Sequence, residues 1–411
     1  MNRILLSFVA ISSLFLIGCN KGQLENTESL STETVNEEQL NEIAKIFASI
    51  QVGAEDLSTV FSSVQAASKY GLDEEMYLSE LWIQPNQTKV SVDISNGIAL
   101  RNKLEQYISS TTKSPNDAFK NPESLLQLLQ SGNVEIYWPY SDYWDGYSLP
   151  VITYLQELDD NNCAIAYNGI DTDQMKQILV SEEYAKEHPV WVITEPEIRY
   201  EDLPNFNNGE TKAGDVTYLS VTPATKADSN DGNAEHLYWG LSGIICRKQY
   251  DSWLRGASDF KFVVAYPQGS TANYVTGATT EFSVKVKRSY IDEKNPTEYT
   301  LTNRALNQDW TETQITNYLC IYEVDTNSSK NSVEVSVTVK AAIPDSLKQY
   351  LQEVSAVAKF TIGKKDEEIG KEVMARSYIL SNTWNNRLYP LDYGKNGKPN
   401  MELRFNTTKY N

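Results

Sequence analysis

Apolar residues recur at helical spacing over the first part of the chain beyond residue 36. They form two consecutive stripes, whose members are Leu40, Ile43, Ala44, Ile46, Phe47, Leu57, Val60, Phe61 and Val64. Positions three and four apart share one face of a helix, so each stripe predicts a helix with one buried face. The pattern continues from Leu72 to Trp82, Pro85 ends it, and later helices are predicted at 98–108 and 122–130. We therefore expect a helical region over residues 37–132.

The periodicity changes at residue 133. Short runs rich in β-branched and aromatic residues follow, separated by turn residues, and they lie at 134–138, 150–154, 164–167 and 190–193. These runs predict a small β-rich or α+β domain over residues 133–200. The next stretch, 201–235, is polar and rich in Asn, Asp and Gly, which is typical of a linker between domains.

Alternating patterns dominate the second half of the chain. Residues 282–287 and 333–339 alternate strictly between apolar and polar side chains, as half-buried strands do. The predicted strands of this half are Leu237–Cys246, Phe260–Tyr266, Glu281–Arg288, Tyr318–Glu323 and Ser332–Val339. Several strands at this spacing favour an antiparallel β-sandwich over residues 236–365, of a C2-like or immunoglobulin-like kind.

The C-terminal segment, residues 366–411, is less regular. It begins within a charged turn at 363–370, and we expect one strand near 373–380 and then a polar tail. The fold class is therefore α+β with several domains: an N-terminal helical region, a small β-rich middle domain and a C-terminal antiparallel β-sandwich.

The N-terminus has the pattern of an exported lipoprotein. Arg3 precedes an apolar run of about 14 residues, too short for a stable membrane span and typical of a secretory signal. The run ends in Leu16-Ile17-Gly18-Cys19, where a small residue precedes a cysteine whose thiol can take a diacylglycerol group. The alternative is an ordinary signal peptide with a chance cysteine, but charge, apolar length, small residue and cysteine agree in register. We predict a lipoprotein signal peptide over residues 1–18 and lipid attachment at Cys19.

The residues after Cys19 bear on where the protein is held. Residues 19–36 are polar and lack periodicity, so we expect a flexible tether. No Asp follows Cys19, so the inner-membrane retention pattern of enteric bacteria is absent and the outer membrane is favoured. Whether the protein faces the cell surface or the periplasm stays open. The membrane is thus one expected partner, through the lipid anchor.

Composition limits the other partners and the redox chemistry. With 55 Asp and Glu against 36 Lys and Arg, the net charge is −19 at pH 7, which argues against nucleic acid and against adsorption to anionic lipid. Cys163, Cys246 and Cys320 remain besides Cys19, and the last two lie in predicted strands. We interpret these two as small buried apolar residues, with a disulfide between them as the alternative. No CxxC pair is present, so no zinc ribbon is indicated.

No catalytic motif stands out. His188 and His236 are the only histidines, and neither GxSxG nor HExxH occurs, so a Ser-His-Asp site or a common zinc peptidase is not indicated. Two facing carboxylates are enough for a glycosidase, but 55 acids give no basis for choosing the pair. A carboxylate-dependent hydrolase of glycan or peptide therefore stays as the alternative to a binding module.

Oxygen-rich pairs of acids are candidate calcium ligands. They are Asp142 with Asp145, Asp159 with Asp160, Asp171 with Asp173, and Glu323 with Asp325. Calcium prefers six to eight oxygens, and each pair supplies only part of that set. No pair lies in an EF-hand loop pattern. We expect these acids to be solvated turn residues, and we expect no metal or other cofactor.

The segment from Tyr137 to Tyr147 is the densest unusual feature. It reads Tyr-Trp-Pro-Tyr-Ser-Asp-Tyr-Trp-Asp-Gly-Tyr. Sugar faces stack on aromatic rings and carboxylates accept hydrogen bonds from hydroxyl groups, so the segment is a candidate glycan-binding loop. The candidate ligand-binding residues are Trp138, Tyr140, Asp142, Tyr143, Trp144 and Asp145. The alternative is a turn whose rings fill a seam between domains, because aromatic side chains are mostly buried.

Several segments resemble a family of uncharacterised lipoproteins from Bacteroidetes. They are 136–146, 150–153, Tyr184-Ala185, 189–193, 250–259 and 321–325. The resemblance spans most of the mature chain and implies a helical leader, a small middle domain and a β-sandwich, but it implies no activity. We accordingly expect a lipid-anchored cell-envelope protein that binds a glycan or an envelope protein.

Overall fold

The computed structural model of the protein describes most of the chain beyond the N-terminus. The described residues are 35–69, 72–84, 87–90, 97–110, 118–169, 176–198, 200–203, 236–271, 274–312, 314–324, 332–342, 353–363, 366–381 and 387–410. The predicted signal peptide, Cys19, the tether up to residue 34 and linker residues 204–235 lie outside them. Among the described helices, none is long and apolar enough to cross a membrane.

A six-stranded sheet organises residues 35–203, which we call the helix–sheet half. Its strands are β1 (Glu75–Tyr77), β2 (Glu135–Tyr137), β3 (Val151–Tyr154), β4 (Ala164–Asn168), β5 (Lys176–Val180) and β6 (Val190–Thr194). Their order is β1-β2-β6-β3-β4-β5, and β3 pairs with β6 in parallel while the other pairs are antiparallel. Because β1 belongs to the predicted helical region, that region and the predicted middle domain share one sheet.

Four helices cover one face of this sheet. They are α1 (Glu37–Ser49), α2 (Ala54–Lys69), α3 (Gly97–Ser110) and α4 (Pro122–Gln130), all within the predicted helical region. Asn36 and Gln39 cap α1 reciprocally, and Pro122 opens α4 where a missing N–H costs nothing. The predicted helix over 72–82 is wrong: residues 75–77 are fully buried and pair with β2, and Leu78–Trp82 form a 3-10 turn.

The opposite face of the sheet is covered partly by the other half of the chain. Helix α5 (Glu182–Glu187) lies on this face, and Trp253 and Leu254 pack into the same core with Val151, Val180 and Val190. Both inserted side chains are almost completely buried. When a sheet is buried on both faces, its strands are apolar throughout and do not alternate between apolar and polar residues. For this reason the sequence of this half shows short apolar runs.

Residues 236–410, which we call the sandwich half, form two facing antiparallel sheets. The strands are β7 (His236–Cys246), β8 (Ser258–Thr271), β9 (Tyr274–Val286), β10 (Tyr299–Trp310), β11 (Thr316–Glu323), β12 (Ser332–Ala342), β13 (Glu353–Gly363), β14 (Glu367–Ala375), β15 (Leu388–Tyr393) and β16 (Pro399–Tyr410). The sheets are ordered β10-β7-β16-β15 and β14-β11-β8-β9. The hairpin β12–β13 covers the outer face of β8 and β11 as a third layer. The predicted α+β fold class with a C-terminal β-sandwich is confirmed.

The C-terminal segment is part of the sandwich, so the predicted polar tail is wrong. Strand β16 lies between β7 and β15, and its Met401, Leu403 and Phe405 alternate with charged residues and are completely buried. The strand predicted near 373–380 is also wrong in its extent. Residues 373–375 end β14, and Arg376–Ser381 form the short helix α6.

The cysteines of the described residues are all free. Cys246 lies in the core between the two sheets, whereas Cys320 faces the outer layer formed by the hairpin β12–β13. The two thiols therefore occupy different layers, in agreement with their interpretation as small buried apolar residues. The described residues from Val35 onward belong to one compact unit, within which both halves lie.

Candidate functional site

The inner rings of the aromatic segment belong to the core. Trp138 is 1% exposed and lies edge-on to Trp191 and Phe61, with ring centroids 5.9 Å apart in each pair. Tyr140 is 3% exposed, and its hydroxyl donates to Glu182 at 2.7 Å. In this structure neither ring offers a face to a ligand at the surface. Their burial agrees with the alternative interpretation of the segment.

The outer part of the segment is exposed. The exposed fractions are 56% for Tyr143, 77% for Tyr147 and 46% for Leu149. Trp144 lies between the two groups: it is half-buried and packs on Phe61 with centroids 5.1 Å apart. Tyr147 and Leu149 were not among the predicted site residues, because nothing in the sequence distinguishes an exposed tyrosine of this segment from a buried one.

The exposed loop has a defined backbone. Asp145 accepts hydrogen bonds from the N–H groups of Tyr147 and Ser148 at 3.0 and 2.8 Å, and Trp144 Nε1 donates to the carbonyl of Ser148 at 3.1 Å. Gly146 has φ of 87°, a left-handed conformation that glycine adopts without strain. Partial desolvation acts to raise the pKa of Asp145, but hydrogen bonds from Ser148 and Tyr147 outweigh it and lower the pKa to about 2. Asp145 therefore shapes the loop that presents Tyr147.

Asp142 and Tyr143 join the two halves of the molecule. The Asp142 carboxylate accepts from Gln65 on α2 at 3.0 Å and from Lys287 and Ser289 of the sandwich half at 3.3 Å. The Tyr143 hydroxyl donates to the carbonyl of Ser289 at 3.2 Å. The predicted residues are thus divided among the core, the contact between the helix–sheet half and the sandwich half, which we call the seam, and an exposed loop. Its role in ligand binding stays a prediction.

A group of buried acids around one lysine is the other unusual feature of the seam. Lys285 on β9 lies 2.8 Å from Asp73, 2.7 Å from Glu197 and 3.2 Å from Asp259. Asp259 and Lys285 are opposite each other on β8 and β9, whereas Asp73 and Glu197 come from the helix–sheet half. Asp73 is almost completely buried, and only 16% of the Lys285 side chain is exposed.

Two further carboxylates lie close to this group. Glu75 and Glu135 are on the face of the sheet turned away from α1–α4, because their neighbours Met76 and Ile136 pack into the helical core. Both are almost completely buried, and one oxygen of Glu135 has no hydrogen-bond partner among the described residues. Neither was predicted from the sequence, since a glutamate within a short apolar strand is expected to point to solvent.

Burial raises the pKa of most of these acids. It raises the pKa of Asp73 to about 6 against the opposing effect of Lys285, and the pKa of Glu75 to about 8, with Asp73 adding to the shift. Burial also raises the pKa of Glu135 and Asp259 well above the ordinary values, and nearby acids hold the pKa of Lys285 above its own. The group therefore takes up protons that the unfolded chain would release.

A small cavity adjoins the buried acids. Its volume is about 80 Å³, and its walls include Asp73, Glu74, Lys285, Tyr290 and Tyr299. Burial raises the pKa of Glu74 to about 7, and Glu74 accepts a hydrogen bond from Ser141 at 2.7 Å. A hydrolase of this kind uses one protonated and one ionised carboxyl, and Asp73 and Glu74 line the same cavity, but ligand pockets typically measure about 300–1,000 Å³. The space suits a few water molecules rather than a sugar ring.

The remaining candidates from the sequence are placed as follows. His236, the first residue of β7, forms a hydrogen bond with Asp309, and His188 stacks on Tyr184, with ring centroids 4.3 Å apart. Within the described residues, no group of three or more His, Cys, Asp or Glu side chains is arranged to hold a metal ion. Asp171, Asp173 and Asp325 of the calcium candidates lie outside the described residues.

Comparison with known proteins gives no relative. A scan against protein-family models, a search of curated proteins and a search of solved structures each found no match to this chain.

Replacing the buried lysine tests the importance of the acid group for folding. We expect Lys285→Met to lower the free energy of unfolding at pH 7 by about 3 kcal/mol, because removing one partner leaves buried carboxylates uncompensated. Lys359→Met is the matched control, since Lys359 pairs with Glu334 on an exposed face and the loss should be below about 1 kcal/mol. Urea denaturation followed by circular dichroism measures both. Equal losses in the two variants would contradict this interpretation.

Proposed function

We propose that this chain is a lipid-anchored binding protein of the bacterial cell envelope, held at the outer membrane through Cys19. The pattern Leu16-Ile17-Gly18-Cys19 after a short apolar run supports the anchor, and the polar residues 20–34 are the proposed tether. A lipid on a cysteine with two or three acyl chains is sufficient for stable attachment to a bilayer.

The exposed rings of the loop 143–149 carry the proposal of a binding role. Tyr143, Tyr147 and Leu149 expose large apolar surfaces on one short loop whose backbone Asp145 and Trp144 fix. Ordering a loop before binding reduces the entropy that a ligand must offset, and exposed tyrosines are enriched where proteins bind ligands. Trp144 also packs on the buried Trp138 behind the loop, with ring centroids 5.4 Å apart.

A glycan is the ligand class that we propose for this loop. A tyrosine ring offers an apolar face to a pyranose, and its hydroxyl group bonds to sugar hydroxyls. The carboxylate of Asp142 is next to Tyr143 and partly exposed, so it can accept a sugar hydroxyl in addition to its present partners. An envelope protein is the competing partner.

A carboxylate-dependent hydrolase is the second candidate. Asp73 and Glu74, with pKa values raised to about 6 and about 7, both line the seam cavity, and this observation favours it. The volume of about 80 Å³ counts against it, because neither a sugar ring nor a peptide bond with its flanking residues fits.

The lipid anchor is tested by Cys19→Ala. We expect this variant to lose incorporation of a labelled palmitate analogue and to leave the membrane fraction, because the acceptor thiol is gone. Cys163→Ala is the matched control, since Cys163 is a partly exposed cysteine of the described part and should keep the label on the protein. Continued labelling and membrane retention of Cys19→Ala would contradict the anchor.

The binding loop is tested by Tyr147→Ala on a glycan array, with the full chain solubilised in detergent. We expect at least tenfold weaker binding, about 1.4 kcal/mol, with an unchanged unfolding midpoint, because the Tyr147 ring is exposed. Tyr393→Ala should leave binding unchanged, since Tyr393 is 63% exposed but lies at the end of β15. Trp144→Ala should lower stability, because its ring packs on Phe61.

Three outcomes would contradict the glycan proposal. Binding that survives Tyr147→Ala would exclude the loop as the contact surface. Equal loss in Tyr393→Ala would indicate nonspecific adhesion of exposed rings. Absence of any ligand on a broad array would exclude a glycan as the ligand class and would favour an envelope protein.

A further inference from the structure

The ammonium group of Lys285 is surrounded by three carboxyl groups in the seam. Its Nζ lies 2.7 Å from Glu197, 2.8 Å from Asp73 and 3.2 Å from Asp259. An ammonium group has three N–H donors, so each acid can accept one of them. Only 3% of the Asp73 side chain and 16% of the Lys285 side chain are exposed. A lysine and an aspartate held in contact away from bulk water are the two reactants of an amide bond.

The carboxyl group of Asp73 is held at both of its oxygens. Oδ2 accepts a hydrogen bond from Lys285 at 2.8 Å, and Oδ1 accepts one from the backbone N–H of Ala257 at 3.0 Å. Because a C–O bond is about 1.2 Å long, the carboxyl carbon lies about 3–4 Å from Nζ. Reacting atoms in a productive arrangement are about 3–3.5 Å apart, so attack by the nitrogen needs little movement.

The N–H of Ala257 points to the oxygen on which negative charge would develop during such an attack. Addition of an amine to the carboxyl carbon transfers charge to Oδ1 of Asp73, and a fixed backbone donor stabilises that charge. Gly256 allows the close approach: a Cβ there would lie 2.6 Å from Oδ2 of Asp73, and its φ of 121° favours glycine. The connection between β7 and β8 therefore supplies a preformed donor to the carboxyl group.

Glu197 and Asp259 contact the same ammonium group but suit other roles. Asp259 is the most distant of the three acids from Nζ, and it lies opposite Lys285 on the neighbouring strand. Glu197 is the nearest acid, and its side chain is 20% exposed, the largest fraction of the three. A carboxylate that keeps contact with water keeps its charge more easily, which makes it a poor target for an amine but an effective general base.

Burial gives access to the neutral form of Asp73. It raises the pKa of Asp73 from 3.8 to about 6, against the opposing effect of Lys285. Burial acts to lower the pKa of Lys285, but the surrounding acids outweigh this effect and hold the pKa well above its ordinary value. The neutral amine is therefore a minor species, and condensation is slow. A slow reaction is sufficient, because each molecule completes it only once.

The cavity beside the acids has room for the water that condensation releases. Its volume is about 80 Å³, and Asp73, Lys285 and Ala257 belong to its walls. A polar cavity of this size holds a few water molecules. Holding two reacting groups in one site corresponds to an effective concentration of about 10⁵–10⁸ M, which drives forward a condensation that is unfavourable between free acids and amines in water.

We propose that Lys285 and Asp73 condense to an amide bond, a covalent link between the sandwich half and the helix–sheet half. Glu197 acts as the general base, and the N–H of Ala257 stabilises the developing charge. The amide nitrogen keeps one N–H, which donates to Asp259. Because the linked residues are 212 positions apart, the bond removes much conformational freedom from the unfolded chain.

The bonds and protons of this reaction balance without an external reagent. One proton first passes from Nζ of Lys285 to Oδ2 of Asp73 along their hydrogen bond. The amine then attacks the carboxyl carbon, and the electron pair of the C=O bond moves to Oδ1. Glu197 takes a second proton from Nζ and delivers it to Oδ2. The bond from the carbon to Oδ2 breaks, water leaves, and the C=O bond forms again at Oδ1, with Glu197 ionised as at the start.

Mass spectrometry of a tryptic digest measures the link directly. The full chain is purified in detergent, denatured and digested; trypsin does not cleave after a lysine whose Nζ is part of an amide. We expect peptide 70–89, which contains Asp73, to be joined to peptide 262–287, which contains Lys285, in most molecules. The joined species is lighter by one water molecule than the sum of the two peptides. Cleavage after Lys285 together with recovery of free peptide 70–89 from most molecules would overturn the proposal.

Fragmentation of the joined species identifies the acid. Fragments that place the bond at Asp73 are the expected result. A bond from Lys285 to Asp259 or to Glu197 would overturn the assignment to Asp73.

Two variants test the chemistry of the step. Lys285→Arg keeps the positive charge, but a guanidinium group does not lose its proton, so we expect no joined peptide. Glu197→Gln keeps the shape of the side chain and removes the general base, so we expect the joined fraction to fall at least tenfold after equal incubation. A folded Glu197→Gln variant with the wild-type joined fraction would contradict the role of Glu197. Should Lys285→Arg fail to fold, the wild-type digest and Glu197→Gln still decide the proposal.

Lys359 provides a matched control within the same digest. Its Nζ lies 2.8 Å from Glu334, as Lys285 lies from Asp73, but the two side chains are 58% and 59% exposed on the outer hairpin. Water solvates both groups there, so we expect normal cleavage after Lys359 and no joined peptide. An equal yield of amide at Lys359 would show that the buried site is not needed and would overturn the proposal.

Discussion

The ion pair between Lys285 and Asp73 joins a strand of the sandwich half to the segment that leads into β1 of the helix–sheet half. Lys285 is the one cation within salt-bridge distance of Asp73 among the described residues, and the same ammonium group also reaches Glu197 and Asp259. Such a buried ion pair adds little net stability compared with apolar packing. Its geometry instead brings β9 of the sandwich half against Asp73 and Glu197 of the helix–sheet half. The Asp73 carboxylate also accepts the N–H of Ala257, so the same acid contacts the connection between β7 and β8.

The aromatic segment contributes both to the core and to the contact between the two halves. Trp138 and Tyr140 are buried behind it, and Asp142 and Tyr143 reach across it to Lys287 and Ser289. The loop that exposes Tyr147 is therefore supported from both halves. This support matters for the proposed binding role, because a loop that is ordered beforehand loses less entropy on binding.

Local patterns predicted the elements better than they predicted how the elements meet. The stripe of Leu40, Ile43 and Phe47 predicted α1, and the strict alternation of residues 333–339 predicted β12. Each of these elements packs one face against a neighbouring layer, and that single buried face produces a regular apolar pattern in the sequence. Strand β1 was missed because it is only three residues long and is buried by its pairing with β2. The alternation of Met401, Leu403 and Phe405 was present in the sequence but was outweighed by the polar residues around it.

The site was harder to predict for a related reason. Burial of Trp138 follows from contacts with Phe61 and Trp191, which are distant in sequence. Glu75 and Glu135 are buried near Lys285 of the sandwich half, whose position no local pattern encodes. The sequence therefore identified the aromatic segment as unusual, but it did not indicate the group of acids beside it.

The central claim is that the seam makes the two halves one cooperative unit, since Trp253 and Leu254 of one half complete the core of the other. Native-state hydrogen exchange at increasing urea concentrations tests this claim most directly. The account predicts that the most protected amides of β6 and of β16 share one opening free energy and one urea dependence. Amides of β16 that stay protected at urea concentrations where β6 is fully open would contradict it.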